Sequence, residues 1–63
     1  MQTGDLYRDT QYGHVYRVAD PNYHPTAVTM TNYMLKGGTL VPRSQRVNVV
    51  VPRDLIGTRY VKA

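Results

Sequence analysis

The side chains of this sequence that could do chemistry are mostly cations and tyrosines, and the cations concentrate in its second half. Residues 36–63 carry six Lys or Arg against one Asp, a net charge of +5. Residues 1–35 carry two Arg against three Asp, a net charge of −1. Such an asymmetry can concentrate positive potential on one part of a surface and attract an anionic partner. The alternative is that the overall charge of +4 serves only solubility.

The cations around and after the longest predicted strand form the first candidate site. Lysine and arginine neutralise phosphates while bases stack on tyrosine, so a basic surface beside an aromatic ring is typical of nucleic-acid binding. The competing interpretation is that each arginine is an ordinary solvated side chain at an edge or turn, where charge discourages edge-to-edge pairing. If the later loops lie together, the sequence predicts binding of DNA or RNA through Tyr33, Lys36, Arg43, Arg46 and Arg53.

The six tyrosines support a second hypothesis, because tyrosine is enriched at protein interfaces together with arginine and methionine. Tyr16 and Tyr60 are expected in or beside the core, and the other four are candidates for exposure. β-Augmentation along residues 39–42 or 58–62 is one possible binding mode. The alternative function is therefore a protein–protein interaction module, such as a bacterial or viral accessory protein that docks on a larger partner, with the surface residues Tyr7, Tyr12 and Pro52.

The sequence contains no recognisable catalytic or metal-binding set. Cysteine is absent, which excludes disulfides and thiolate ligands. His14 and His24 are the only histidines, and Asp20, the possible third ligand, stands in a predicted loop rather than on a helix that would align it with His24. Ser44 is the only serine, and no motif around it indicates a nucleophile. We therefore expect no enzyme, no metal and no cofactor, unless a homo-oligomer builds a site between subunits.

The composition predicts that strands rather than helices position these residues. Glu and Trp are absent, whereas Val, Thr and Tyr are abundant, and these are strand-forming residues. Four Pro and five Gly divide the chain into short segments, which is typical of a small barrel or sandwich. The predicted strands are residues 5–8, 14–19, 26–35, 39–41, 47–51 and 58–62.

The connections between these strands carry clearer signals than the strands themselves. Gly37 and Gly38 predict a type I′ hairpin turn, because glycine readily takes the positive φ that both central positions need. Residues 20–25 are predicted to be a loop, because their two prolines cannot donate to a ladder. Residues 52–56 suit one 3₁₀ turn, with proline at the start and Gly57 at the exit.

A strand, a 3₁₀ turn and a short closing strand form the ending that SH3-like barrels have. The segment Asp5–Asp9 (DLYRD) is similar to the opening of SH3 domains, Ala-Leu-Tyr-Asp-Tyr, and Val51–Ile56 (VPRDLI) is similar to their Val-Pro-Ser-Asn-Tyr-Val. The resemblance implies an all-β fold, a small SH3-like five-stranded barrel with a 3₁₀ turn before the last strand.

The same resemblance bears on ligands. Tyr7 and Pro52 match positions of the groove with which SH3 domains bind Pro-rich peptides. Leu55 stands where that groove has a tyrosine, and the chain has no tryptophan. The resemblance is therefore taken to concern the fold, and binding of Pro-rich peptides is not expected.

The length predicts one domain, residues 1–63, with a thin core. A chain this short buries only about 60% of the surface that its unfolded form exposes. Because disulfides and metals are excluded, additional folding stability would have to come from a closed barrel, a homo-oligomer or a bound partner. No stretch approaches the roughly 20 apolar residues of a membrane span, and no signal peptide is recognised. We therefore expect a cytoplasmic protein without membrane contact.

Overall fold

The computed structural model describes residues 1–43 and 47–63, and this part of the chain is all-β, as the sequence predicts. It contains six strands and one 3₁₀ turn, at residues Arg53–Leu55, and no α-helix. The strands are β1 (Leu6–Asp9), β2 (Val15–His24), β3 (Ala27–Lys36), β4 (Thr39–Pro42), β5 (Asn48–Pro52) and β6 (Tyr60–Lys62).

The strands form one antiparallel sheet in the order β4-β3-β2-β1-β6. One edge of β3 pairs with β2, and the other edge is divided, its first half pairing with β5 and its second half with β4. The final strand β6 pairs with β1, as expected of a chain that returns to its first strand. The long β3 is therefore the strand around which the described sheet is organised.

The structure corrects the predicted barrel, because the sheet is open. Strand β6 has three residues, and its only ladder among the described residues is to β1, so it does not join the two ends of the sheet. The sheet has six strands where the SH3-like resemblance implies five, because the predicted strand at residues 39–41 is a separate strand, Thr39–Pro42, paired with β3.

The predicted loop at residues 20–25 is also corrected, because β2 continues to His24. The register between β2 and β3 shifts after Val18 and again after Asp20, so the residues around Pro21 have no direct partner on β3. A proline is tolerated at such an irregular position, because no ladder hydrogen bond needs its missing N–H. The two turn predictions hold: Gly37 and Gly38 both have positive φ, and the 3₁₀ turn lies within residues 52–56.

The core lies on one face of the sheet, here called the inner face. Val28 and Met30 are fully buried, as strand alternation predicts. Tyr7, a candidate for exposure and protein contact, is only 7% exposed, because it lies beside Tyr16 on this same face. Its ring is therefore part of the core. The buried cluster consists of Tyr7, Val18, Val28, Met30, Val51 and Tyr60.

Candidate nucleic-acid interface

The structure does not gather the predicted cations on one surface. Lys36 ends β3 beside the hairpin turn, and Arg53 follows β5, whose last residue pairs with Ala27 at the start of β3. The nine steps from Ala27 to Lys36 span about 30 Å at roughly 3.3 Å per residue. Lys36 and Arg53 therefore lie toward opposite ends of the sheet, and Arg46 lies outside the described residues.

The guanidinium group of Arg53 is used to hold the chain together. It donates hydrogen bonds to the backbone carbonyl of His24, with Nε–O and Nη2–O distances of 3.4 and 3.2 Å, and also to the carbonyl of Pro21. These bonds tie the 3₁₀ turn to the end of β2. Fewer of its donors are left for a phosphate, although the side chain is exposed.

Pro52, the other candidate at this end, is exposed beside a shallow groove of about 530 Å³. The groove lies where β5 and the 3₁₀ turn meet the start of β3. Its lining residues are Pro25, Thr26, Ala27, Pro52, Arg53 and Asp54.

The structure does bring Tyr33 and Arg43 together and adds Arg17 to them. The Arg17 guanidinium lies over the Tyr33 ring, with its carbon 4.8 Å from the ring centroid. Arg17 pairs with Thr31, and Tyr33 pairs with Val15, so the two side chains are diagonal neighbours on the outer face of the sheet. A guanidinium this close to a tyrosine ring makes a cation–π contact.

Arg43 continues the contacts from Tyr33 toward the β1–β2 turn. Its Nε lies 3.4 Å from the backbone oxygen of Tyr33, and its Nη2 lies 2.8 Å from Nδ1 of His14. Guanidinium can only donate, so the ring nitrogen of His14 is the acceptor. Arg43 therefore links the outer face to the turn at this end of the sheet.

The contacts then pass through the β1–β2 turn to the last loop. The rings of His14 and Tyr12 have centroids 6.1 Å apart, and the Arg59 guanidinium carbon lies 5.7 Å from the Tyr12 ring centroid. Arg59 also lies 5.5 Å from the ring centroid of Tyr60 in the core. These contacts make one continuous arginine–aromatic series, consisting of Arg17, Tyr33, Arg43, His14, Tyr12 and Arg59.

Asp9 fixes the turn that carries Tyr12 and His14. Its carboxylate accepts a hydrogen bond of 2.8 Å from the amide of Gln11, and its backbone carbonyl accepts one of 2.7 Å from the amide of Gly13. Gly13 has φ +76°, a conformation that glycine adopts at little cost. The turn is thus held by defined hydrogen bonds rather than by its exposed side chains.

The negative charge of the same Asp9 carboxylate is neutralised by Arg59. The carboxylate is almost fully buried, and its Oδ2 lies 3.2 Å from Nη2 of Arg59. Burial alone would raise the pKa of Asp9, but the hydrogen bonds from Arg59 and Gln11, with the charge of Arg59, bring it below its usual value. Asp9–Arg59 is the only salt bridge among residues 1–43 and 47–63, so Arg17 and Arg43 have no carboxylate partner there.

Sequence reasoning missed Arg17, His14 and Arg59 as members of the site. Arg17 is exposed, as the alternation in β2 predicts, but its contact with Tyr33 depends on how β2 and β3 align. Two of these three residues lie in the half of the chain whose net charge is −1. A search for cations flanked by outward-facing aromatic residues on adjacent strands would have found Arg17.

Comparisons with known proteins do not assign a function to this chain, so a function has to be inferred from the site. The chain matches no family model, no curated protein and no solved structure. In the described part of the chain no group of three or more His, Asp or other metal-ligating residues lies together. The same residues include no helix that is long and apolar enough to cross a membrane.

Proposed function

We propose that this chain is a small non-enzymatic binding module whose ligand is nucleic acid, DNA or RNA. The observation that carries the proposal is the arginine–aromatic series, in which Arg17 lies over the Tyr33 ring, Arg43 joins the Tyr33 carbonyl to His14, and Arg59 lies over the ring of Tyr12. Guanidinium groups bind phosphates, and flat rings stack with bases. A surface that offers both kinds of group side by side suits a polymer that carries both partners.

The charge around the series supports the same ligand. Asp9, the carboxylate that touches it, is buried and paired with Arg59. Asp20 lies on β2 three residues beyond Arg17, roughly 10 Å along the strand, and Asp54 lies in the 3₁₀ turn. The carboxylate of Asp5 accepts a hydrogen bond from the amide of Gln2, and no carboxylate pairs with Arg17 or Arg43 in the described structure, so both can meet the phosphates of a bound strand.

Two finer parts of the proposal concern fold relationship and location. The pairing of β1 with both β2 and the last strand, and the 3₁₀ turn before that strand, support an open relative of the SH3-like fold. The absence of cysteine fits a reducing compartment, so we place the protein in the cytoplasm, where nucleic acid is present.

The proposal is tested by fluorescence anisotropy with labelled single-stranded DNA, single-stranded RNA and duplex DNA at about 50 mM salt, followed by a salt titration. We expect binding that weakens as salt rises, because phosphate contacts release counterions. The double variant Arg17→Ala/Arg43→Ala should bind about tenfold or more weakly, because each charge-assisted hydrogen bond to a phosphate contributes about 1 kcal/mol or more.

Lys36→Ala is the matched control, because it removes a positive charge that lies about 10 Å beyond Tyr33 along β3. At about 150 mM salt, where the Debye length is about 8 Å, we expect its affinity to stay within about twofold of the wild type. Absence of binding to all three polymers at low salt would overturn the proposal. An equal loss in the Lys36→Ala variant would show that overall charge, not this surface, is responsible.

A protein-interaction module is the second candidate, favoured by the groove beside Pro52. The groove lies at the end of β5, an edge strand of the described sheet whose Val50 is 57% exposed. An exposed edge with an adjacent groove suits an added strand from a partner. Affinity capture from nuclease-treated lysate, with wild type and Val50→Lys in parallel, separates the candidates. A partner that is kept after nuclease treatment and lost in the variant would favour this second function.

A further inference from the structure

We infer that the ligand is a single strand and that the ring of Tyr12 is the platform on which an unpaired base stacks. The inference rests on the proposed nucleic-acid function and gives it a strand type and a contact residue. It follows from how Tyr12 is exposed, how its turn is held and which charged groups lie beside it.

Tyr12 is the most exposed of the six tyrosines, at 64%. Tyr7 and Tyr60 are buried, and Tyr16 is partly buried against the core. The Tyr12 ring touches the Arg59 guanidinium and lies tilted by 37° to the ring of His14. The remaining surface of the ring faces solvent, which leaves room for a base.

The turn holds this ring in place before any ligand arrives. The amide of Thr10 donates a 2.7 Å hydrogen bond to the carbonyl of Arg59, and the amide of Asp9 donates one of 2.8 Å to the carbonyl of His14. The hydroxyl of Tyr12 accepts a 3.2 Å hydrogen bond from the side chain of Gln11. An ordered platform loses little conformational entropy on binding, which favours affinity.

The neighbours of Tyr12 suit the backbone of the same strand. Arg59 lies on one side of the ring, and Arg43 reaches it through His14. A base stacked on Tyr12 would therefore lie near the Arg43 guanidinium, which could contact a flanking phosphate, while Arg59 is paired with Asp9 and lies against the ring. Alternation of stacking and phosphate contact is how single-stranded nucleic acid is bound without a base-pairing code.

The described fold is less suited to binding a duplex. Reading a duplex in its major groove takes an inserted helix or a two-stranded ribbon, and a paired base cannot stack on an outside ring. Residues 1–43 and 47–63 form no α-helix, and the β3–β4 hairpin ends in two glycines, which have no side chains to contact base edges. The ring of Tyr12 is thus useful to an unpaired base and of little use to a base pair.

The test compares a short oligothymidylate with a duplex of equal length, using anisotropy and intrinsic fluorescence. The chain has six Tyr and no Trp, so its fluorescence comes from tyrosine alone and reports stacking by quenching. We expect the single strand to bind at least tenfold more tightly than the duplex and to quench the signal. Tyr12→Ala should weaken single-strand binding by about fivefold to 150-fold, the equivalent of about 1–3 kcal/mol per stacked base.

Two variants show whether the ring itself is responsible. Tyr12→Phe keeps the ring and should bind within about twofold of the wild type. Tyr23→Ala removes the other strongly exposed tyrosine, which is 53% exposed and lies near the far end of β2, and should change nothing. Circular dichroism of each variant checks the fold.

The outcomes separate this inference from the function on which it rests. Duplex binding as tight as single-strand binding, with Tyr12→Ala unchanged, would overturn the inference and leave nucleic-acid binding intact. Equal losses in Tyr12→Ala and Tyr12→Phe would overturn stacking, because the hydroxyl and not the ring would be responsible. Failure of every polymer to bind would instead overturn the proposed function.

Discussion

Arginines at two ends of the same sheet serve different purposes. At the 3₁₀ end, Arg53 donates hydrogen bonds to backbone carbonyls of Pro21 and His24. At the other end, Arg17 covers the outside of the Tyr33 ring, and Arg43 bridges Tyr33 and His14. Arg53 binds only backbone carbonyls, whereas Arg17 and Arg43 lie beside aromatic rings, and Arg17 alone has no hydrogen bond within the described fold.

The difference shows why a count of charges does not locate a binding site. Arg53 is exposed, as Arg17 is, and both belong to a chain of net charge +4. The two residues differ in which part of the guanidinium group is occupied. Arg53 uses its N–H donors for backbone carbonyls, whereas Arg17 places its flat face on the Tyr33 ring. A guanidinium whose flat face lies against a ring, as that of Arg17 lies against the half-buried Tyr33, keeps its N–H donors free for a ligand.

The largest effect on stability is expected at Asp9. Its folded-state pKa is lowered, so the carboxylate stabilises the fold at pH values above its unfolded pKa of about 3.9, and this contribution is lost as pH falls through the folded pKa. Asp9→Asn should therefore unfold at lower urea concentration than the wild type at pH 7, with a difference that shrinks near pH 3. A difference that stays constant between these pH values would show that the charge of Asp9 is not involved.

The second effect concerns Arg53. Arg53→Ala removes the hydrogen bonds to Pro21 and His24, and we expect a loss of about 1–2 kcal/mol in the free energy of unfolding. Under conditions where the variant is folded, its affinity for single-stranded DNA should stay within about twofold of the wild type. Urea denaturation and anisotropy measure the two quantities. A stable variant with weakened binding would reverse the roles assigned to the two ends.

The third effect, at Arg17, is expected to be the reverse of that at Arg53, a loss of affinity with little loss of stability. Arg17→Ala should lower affinity about threefold to tenfold and make the salt dependence shallower by about 0.7 in log–log slope, the share of one phosphate on a single strand. Its free energy of unfolding should change by less than about 1 kcal/mol, because it loses one exposed cation–π contact. Unchanged affinity together with a large loss of stability would place Arg17 in the same class as Arg53.

The smallest effect is expected from Arg43→Lys. The substitution keeps the charge, but a lysine cannot bridge the Tyr33 carbonyl and His14 as the planar guanidinium does. We expect affinity to fall only about twofold to threefold, with the salt slope unchanged, since the count of phosphate contacts depends on charge. A shallower slope would mean that the lysine no longer reaches the phosphate.

Local features of the fold follow from the sequence with little ambiguity. The Gly37-Gly38 turn, the alternation that buries Val28 and Met30, and the 3₁₀ turn each depend on a few neighbouring residues, and each is found in the structure. The sequence does not predict features that depend on pairing between strands far apart along the chain. It does not show that β3 shares one edge between β4 and β5 or that the sheet remains open.

The candidate site shows the same limit. Charge asymmetry along the chain points to residues 36–63, yet Arg17, His14 and Tyr12 come from the other half. Their contacts require the register of β2 on β3 and of β1 on β2, which is set by a bulge after Val18 and by the turn at Gly13. Of the five residues expected on one surface, Tyr33 and Arg43 do come together, because the hairpin turn brings the end of β4 beside Tyr33.

The central claim is that the ligand binds at the Tyr33 end of the sheet and not at the Arg53 end. The most direct test is a ¹⁵N-labelled sample titrated with a short oligothymidylate, with backbone amide shifts mapped by NMR. We expect the largest shifts at the amides of Tyr12, His14, Arg17 and Tyr33, with those of His24, Arg53 and Asp54 unmoved. Shifts confined to the residues around Arg53, or to the hairpin beside Lys36, would contradict the account.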